Sequence, residues 1–320
     1  MSEAEDLKYV GTRPVRPDGV EKVTGKANYG SDFSLPGLIH AVVLRSPHAH
    51  GRIKHIDASA ALALEGVYAV VTAEDFPSRE GISVGRKRFF ENIIAGKKVL
   101  YHGQAVAAVA ARTTWVAERA AELIEVDYEV LPHVLDMQEA MQPDAPVLHD
   151  DMFTQGLPET PDTASNVVQK MSITKGDIEA GFAGADLVVE RTFVTPMVHQ
   201  GYIEPHACVA DANEDGRISL WCSSQGHFGV RDMAALALGM DTGDIRVMPA
   251  EIGGGFGGKT VVYLEPLAIR LSEKAHRPVK MVMSREEVFR ATGPASGTIN
   301  TVKIGCKSDG TITAMSADLL

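Results

Sequence analysis

The feature that most constrains this sequence is a glycine-rich octapeptide, Gly253-Gly254-Gly255-Phe256-Gly257-Gly258-Lys259-Thr260. Residues without a Cβ atom can adopt positive φ angles and let a ligand approach the main chain, whose N–H groups favour an anion. The octapeptide lies between a predicted strand, Ile245 to Met248, and a predicted helix, Val261 to Ala275. It therefore predicts a loop that cradles an anionic group.

Three interpretations of this loop stay open on its residues alone. Its G-x-x-x-x-G-K-[ST] spacing would make it a P-loop of a nucleotide hydrolase that uses Lys259 and Thr260. However, the next apolar strand ends in Ser284 and Arg285, not in a magnesium-binding acid. Its G-x-G-x-x-G spacing would make it a dinucleotide loop, but Glu273, the acid at a suitable distance, falls inside the predicted helix. The third interpretation is a glycine-rich turn that binds no ligand, but it does not explain the conformational entropy lost in ordering so many glycines.

Gln225 is a second candidate site residue. It lies in Ser223-Ser224-Gln225-Gly226-His227, after a predicted strand, Ser219 to Ser223, and before a predicted helix, Val230 to Leu238. A side-chain amide at the C-terminal end of a strand can donate hydrogen bonds to an oxo or carbonyl oxygen. The alternative is a turn that only caps the helix.

Histidines and cysteines give weaker signals for a metal. Two pairs would each share one face of a strand: His48 with His50, and His206 with Cys208. Neither pair has further zinc ligands at a recognisable spacing, so we expect no metal ligand from the protein. Cys222 lies near His227 but lacks an orienting third residue, so it is predicted to be a buried structural cysteine rather than a nucleophile.

Charge and cysteine usage limit the environment and the partners. A net charge of -11 with a pI of about 5.5 argues against binding to nucleic acid or to an anionic membrane. The basic run Arg86-Lys87-Arg88 is therefore expected to be a solvated loop or a partner contact. Three widely separated cysteines favour a reducing compartment, and the sequence shows neither a signal peptide nor an apolar run long enough to span a membrane. We expect a cytoplasmic protein.

The chain divides into an arm, two domains and a linker. The predicted ranges are 1–20 for the N-terminal arm, 21–141 for an α+β domain, 142–165 for the linker and 166–320 for the second domain. The linker is rich in Pro, Asp and Thr with little apolar periodicity. A hairpin is predicted around Ser308-Asp309-Gly310, and its second strand reaches Leu320. We therefore expect the second domain to be incomplete.

Five ordered motifs make the chain similar to a known family. VEKVTGKANYGSDFSLPGLIHAVVLRSPHAH and YHGQAVAAVAA come first, and HQGYIEPHACVA, SSQG and GGGFGGK follow. They resemble the large, molybdopterin-binding subunit of the xanthine dehydrogenase and aldehyde oxidase family of molybdenum hydroxylases. The resemblance implies an α+β fold, in which an α/β hammerhead domain precedes the first part of a molybdopterin-binding domain with mixed sheets.

The resemblance also implies roles for individual residues. Gly255, Phe256 and Gly257 would contact the pterin cofactor, and Gln225 would hydrogen-bond an oxygen ligand of molybdenum, which needs no ligand from the protein. Thr260 would contact the substrate, at a position where purine-oxidising relatives carry glutamate, which argues against a purine. The catalytic glutamate of relatives lies beyond the position of Leu320, so no residue here is assigned as catalytic.

The implied reaction is oxidative hydroxylation of an aldehyde, a heterocycle or a similar small molecule, or oxidation of carbon monoxide, with water as the oxygen source. The resemblance implies a molybdenum–molybdopterin cofactor, in which a dinucleotide form is possible. It also implies an iron–sulfur small subunit and an FAD-binding medium subunit in a dimer of heterotrimers. We expect this chain alone to be inactive. A non-catalytic assembly subunit is the remaining alternative, alongside the P-loop hydrolase.

Overall fold

Strands and helices alternate along most of the chain in the computed structural model, which describes residues 8–78, 82–159 and 161–320. The strands are β1 Ile39–Arg45, β2 Gly51–Asp57, β3 Val67–Val71, β4 Lys98–Val99, β5 Ala105–Ala111, β6 Glu125–Val130, β7 Leu187–Thr195, β8 Ala207–Ala212, β9 Ile218–Cys222, β10 Ile245–Pro249, β11 Val279–Val282, β12 Thr298–Cys306 and β13 Ile312–Leu319. The helices are α1 Gly19–Thr24, α2 Ser59–Ala63, α3 Val84–Ile93, α4 Thr114–Glu122, α5 Met137–Ala140, α6 Ile178–Ala183, α7 His227–Leu238, α8 Glu265–Ala275 and α9 Arg285–Ala291.

The largest sheet has seven strands in the order β10-β9-β8-β11-β1-β5-β3. The pairs β10 with β9 and β1 with β11 are parallel, and the other neighbours are antiparallel. Three of these strands come from the region predicted as the first domain, and four come from the second. The two regions therefore share one mixed sheet, in agreement with the α+β fold class.

Strand β5 lies near the centre of the first region's part of the sheet, and all seven of its residues are buried. Because side chains alternate along a strand, Ala108 and Ala110 join the core cluster that includes α7 and α8. Ala107 and Val109 join a second cluster on the opposite face, against α2 and α4. Small side chains let helices pack closely on both faces of this strand.

Two three-stranded sheets complete the fold. One has the order β4-β2-β6 and belongs to the first region; the other has the order β13-β12-β7 and belongs to the second. The predicted hairpin is confirmed: β12 pairs antiparallel with β13, and Gly310 takes the positive φ of 89° that its turn requires.

Most predicted elements are present, with shifted ends in two helices. The helix predicted from Val261 begins at Glu265, because Pro266 has no N–H group and is suited to the first turn. The helix predicted from Val230 begins one turn earlier, at His227, and ends at Gly239 as expected, with that glycine in the left-handed conformation.

Three local expectations are wrong. Arg86, Lys87 and Arg88 lie in helix α3 rather than in a loop, and Lys87 forms an ion pair with Asp151. The His48/His50 and His206/Cys208 pairs do not share strand faces: the first two lie in the turn between β1 and β2, and His206 precedes β8. Strands β1 and β2 belong to different sheets, so the chain turns between them instead of continuing as one strand. The local residue pattern does not reveal this turn.

The region around the predicted linker is organised by side-chain hydrogen bonds. Within residues 142–159 and 161–165 there is no helix or strand beyond an isolated bridge at Gln155. Asn166 donates to the carbonyl oxygens of Ala140 and Pro146 and accepts from the N–H of Leu148. The domain and linker boundaries stay predictions; of the predicted arm, residues 1–7 lie outside the described part and Gly19 opens α1.

Candidate functional site

The glycine loop and the Gln225 turn meet at one edge of the large sheet. Strand β9 leads into the turn at Ser223, and the neighbouring parallel strand β10 leads toward the loop at Gly253. Parallel neighbours end at the same edge, so the two segments that follow them are brought together although they are distant in sequence. This topology is what assembles the candidate site.

Gln225 holds the second half of the loop through its side-chain oxygen. Its Oε1 accepts hydrogen bonds from the N–H groups of Gly257 at 2.9 Å and Lys259 at 3.2 Å. Its own N–H donates to the carbonyl oxygen of Lys259 at 3.0 Å. A Cβ atom at Gly255 would lie 2.6 Å from that Oε1, so this contact requires glycine. Gln225 is exposed, and its Nε2 donates to none of the described residues, which leaves both its N–H donors for a ligand.

Three main-chain N–H groups of the loop have no hydrogen-bond partner in the described chain. Gly254 and Gly257 have φ angles of 97° and 90°, and Phe256 is a rare non-glycine residue with a positive φ, 48°. Within the described chain, the N–H groups of Gly254, Gly255 and Phe256 donate to no other residue. The Phe256 side chain is 74% exposed, and the space beside Gly257 is open. Such a surface suits a ligand that carries oxygen acceptors together with a flat apolar part.

Glu204 and Lys259 form a buried ion pair beneath the loop. The Lys259 Nζ lies 2.7 Å from Oε2 of Glu204, and the two side chains are 0% and 11% exposed. The same Oε2 accepts from the N–H of Gly253 at 2.7 Å, and Oε1 accepts from the N–H of Gly30 at 3.4 Å. Burial lowers the pKa of Lys259, and the hydrogen bond to Glu204 opposes that shift. Glu204 therefore joins the loop to the N-terminal region through its two oxygens.

The P-loop interpretation is wrong for this chain. A P-loop lysine must reach the bound phosphates, whereas the ammonium group of Lys259 points into the protein and is paired with Glu204. The helix that should begin at the end of a P-loop begins only at Glu265. The Thr260 hydroxyl is turned back onto the loop, where its Oγ1 donates to the carbonyl oxygen of Gly257 at 2.9 Å. In the dinucleotide interpretation, Glu273 lies within α8 and pairs with Arg270.

A chain of hydrogen-bonded side chains lies under the loop, and no local pattern in the sequence indicates it. The Tyr202 hydroxyl lies 2.8 Å from Nε2 of His206 and 3.1 Å from Oγ1 of Thr292. Because the N–H of Gly201 donates to Nδ1 of His199, the Nε2 of that histidine is the nitrogen that donates to Thr292. Burial lowers the pKa of His206 to about 3, so this histidine is neutral.

The other histidine and cysteine candidates have structural roles. Cys208 and Cys222 lie opposite each other on β8 and β9, and burial raises the pKa of both thiols. The imidazole of His227 lies 3.3 Å from the main-chain oxygen of Cys222, which is not the arrangement of a nucleophile and its base. Among the described residues, no group of three or more histidine, cysteine, aspartate or glutamate side chains could hold a metal ion.

Family models match most of the chain. Residues 24–132 match the a/b hammerhead domain of aldehyde oxidase and xanthine dehydrogenase, and residues 160–320 match the molybdopterin cofactor-binding domain. None of the helices in the described part is long and apolar enough to cross a membrane.

Individual relatives agree with these matches. The chain is 35% identical over 322 residues to the carbon monoxide dehydrogenase large chain of Afipia carboxidovorans, with 99% of this chain and 40% of that protein covered. It is 31% identical over 315 residues to the nicotinate dehydrogenase large molybdopterin subunit of Eubacterium barkeri, with 98% and 71% covered. The structure of quinoline 2-oxidoreductase from Pseudomonas putida 86 superposes with a TM-score of 0.83 at 30% identity, over 97% of this chain and 39% of that one. The chain thus spans about two fifths of the length of several relatives.

Proposed function

This chain belongs to the aldehyde oxidase and xanthine dehydrogenase family, and on that premise we propose that Gln225 and the loop at Gly255, Phe256 and Gly257 hold a molybdopterin cofactor. The observation that carries this proposal is the orientation of Gln225. With its oxygen used by the loop, the amide can offer a ligand only hydrogen-bond donors. Donors of this kind suit the oxygen atoms of a molybdenum centre.

The loop fits the rest of such a cofactor. Molybdopterin carries a phosphate and a flat ring system, and the loop presents unpaired N–H groups, an exposed aromatic ring and open space beside Gly257. No described cluster of side chains competes for the metal, which the pterin itself would carry. When bound, this cofactor supplies oxidative hydroxylation, taking its oxygen from water and receiving the substrate's electrons.

The chain's own residues would then bind and orient. Gln225 would donate from Nε2 to an oxygen ligand and so keep that oxygen in a fixed position. Phe256 would shield one side of the bound group from water. Thr260 can act toward a substrate only as a neutral acceptor, because its hydroxyl proton is used by Gly257. A neutral residue there favours an uncharged substrate, such as an aldehyde, a heterocycle or carbon monoxide, over one that needs a carboxylate partner.

The partners and compartment follow from the same premise. The relatives' names describe large chains and subunits, which supports an assembly in which an iron–sulfur subunit and an FAD subunit carry electrons away. We place that assembly in the cytoplasm because all three cysteines are free. The cofactor would be molybdopterin itself or its dinucleotide form. The heterotrimer is proposed to form a dimer.

Metal and pterin content test the proposal. The protein would be produced with its neighbouring subunits in a host that makes molybdopterin, and molybdenum would be measured per chain by mass spectrometry. We expect molybdenum to co-purify with the wild-type chain, and a loss of roughly 10-fold in pterin affinity for Gln225→Ala, in line with one or two lost hydrogen bonds. Gln142→Ala, whose amide donates to a helix carbonyl elsewhere, is the control.

Two outcomes would count against this function. Wild-type protein that co-purifies with its partners but contains no molybdenum or pterin would favour a non-catalytic assembly subunit. Equal pterin content in Gln225→Ala and Gln142→Ala would remove Gln225 from the cofactor site.

A further inference from the structure

The glycine loop is closed by a single carboxylate oxygen. Oε2 of Glu204 accepts from the main-chain N–H of Gly253, where the loop begins, and from the side chain of Lys259, near its end, each at 2.7 Å. The other oxygen of Glu204 reaches the N–H of Gly30, so the N-terminal region is tied to the same point. Seven residues of flexible, glycine-rich chain are thereby fixed at both ends.

The inner face of the loop is fitted closely to this anchor. A Cβ atom at Gly253 would lie 2.6 Å from Cβ of Glu204, and one at Gly258 would lie 2.7 Å from Cε1 of Tyr202. The Lys259 Nζ lies over the Tyr202 ring, 5.1 Å from its centroid. The loop therefore rests on Glu204 and Tyr202 without space for a different path.

A buried ion pair is an expensive way to obtain stability alone. Removing two charges from water costs several kcal/mol, and apolar replacements of similar volume are often as stable. What an ion pair adds is direction, since both partners must occupy fixed positions. At this place, the fixed element is the loop that carries the proposed cofactor contacts.

We propose that Glu204 and Lys259 are positioning residues, which hold the loop from Gly253 to Lys259 in the conformation that receives the cofactor. Both side chains are buried beneath the loop, and they act through the main chain of Gly253 and Lys259 and through the hydrogen bonds to Gln225. The identity of the received group rests on the proposed function, but the anchoring does not.

Amide hydrogen exchange of the loop tests this inference. Mass spectrometry would follow peptides that cover Gly253 to Thr260 in pterin-free preparations of the full chain. Lys259→Met leaves the Glu204 carboxylate without its partner. We expect the hydrogen-bonded loop amides, those of Gly253, Gly257 and Lys259, to exchange about 10-fold faster, while the amides of β5 keep the wild-type rate. Lys98→Met is the matched control, because Lys98 lies on β4 in another sheet, is 12% exposed and forms an ion pair with Asp150.

A double-variant cycle separates positioning from general stabilisation. If the two residues act as one unit, Glu204→Gln combined with Lys259→Met should loosen the loop no more than Lys259→Met alone. Lys259→Arg keeps the charge and should restore slow exchange in part. Unchanged loop exchange in Lys259→Met, or equal acceleration in the loop and in β5, would overturn the inference.

The outcome is independent of the proposed function. If the loop exchanges faster in Lys259→Met but the wild-type protein never binds pterin, the anchoring role is supported and only the cofactor assignment is wrong. If Lys259→Met loses pterin while loop exchange is unchanged, the anchoring role is wrong and the cofactor assignment is still supported.

Discussion

Strand β5 and the glycine loop are both held on two sides, but by different forces. β5 is enclosed by β1 and β3 and by helices on both faces, and its seven residues are all buried alanines and valines. The loop is held from one side by Gln225 and from below by Glu204, through hydrogen bonds and an ion pair. Apolar burial is not directional, whereas each polar contact fixes the position of one atom.

The two regions should therefore tolerate different substitutions. β5 should accept substitutions that conserve volume and reject any charge, because its energy comes from the area removed from water. The loop should reject changes that move an acceptor or add a single methyl group, even where little area is buried.

The largest effect is expected from Val109→Asp in β5. Val109 is fully buried and packs in an apolar cluster, so a carboxylate there would have no partner. We expect a loss of roughly 4 kcal/mol or more in the free energy of unfolding, measured by urea denaturation. Val130→Asp, on an exposed position of β6, should cost less than about 0.5 kcal/mol. Similar losses in both variants would contradict the assignment of β5 to the core.

The same contrast explains what the sequence could reveal of the fold. The run from Ala105 to Ala111 predicts β5 with its observed ends, because an unbroken apolar segment between polar residues is a local signal. Strand β2, Gly51–Asp57, was missed, since its charged and apolar residues alternate irregularly and its pairing depends on β4 and β6. Strands of that kind are specified by their neighbours rather than by their own residues.

The site was predictable in part, and for a similar reason. The glycine loop stands out locally, and resemblance to the family singled out Gln225. The ion pair between Lys259 and Glu204 could not be predicted from the sequence. The two residues are 55 positions apart, and only the order of the strands in the fold brings them together. Tyr202 and Thr292 gave no signal for the same reason, being joined across 90 residues.

Within the loop, the addition of one methyl group at Gly253 should be poorly tolerated. Gly253→Ala would place a methyl group 2.6 Å from Cβ of Glu204, which cannot move without shifting the main chain. We expect a loss of about 2 kcal/mol in stability, together with a fall in bound molybdenum. Gly85→Ala is the control: a Cβ there meets nothing within 4 Å, and helix α3 should gain up to about 1 kcal/mol. An unperturbed Gly253→Ala would show that the loop is not seated on Glu204.

The third prediction concerns pH, which should affect the polar region and spare the apolar one. Burial lowers the pKa of His206 to about 3, from an ordinary value near 6.5, so the folded protein cannot take up the proton that the unfolded chain binds. This contribution to stability is complete above pH 6.5 and is lost as the pH falls from there toward 3. Between pH 6.5 and 5 the loss should be about 1.6 kcal/mol.

Urea denaturation across that range checks this expectation by comparing variants. His206→Asn should remove the acid-dependent part, so that its stability falls less steeply than that of the wild type. His55→Asn, on an exposed position of β2, should keep the wild-type slope. Parallel pH profiles for the wild type and His206→Asn would mean that His206 is not held neutral in the folded protein.

The smallest effect on stability, and the sharpest on function, is expected from Gly257→Ala. Gly257 and Gly310 have φ angles of 90° and 89°, and a Cβ at either meets nothing within 4 Å. Each alanine variant should therefore lose only about 1 kcal/mol from backbone strain. Their positions differ, since Gly310 lies in the β12–β13 turn and Gly257 faces the proposed cofactor. If the cofactor occupies the open space beside the loop, Gly257→Ala should lose pterin while Gly310→Ala retains it, and equal retention would mean that the space beside Gly257 is not where the cofactor binds.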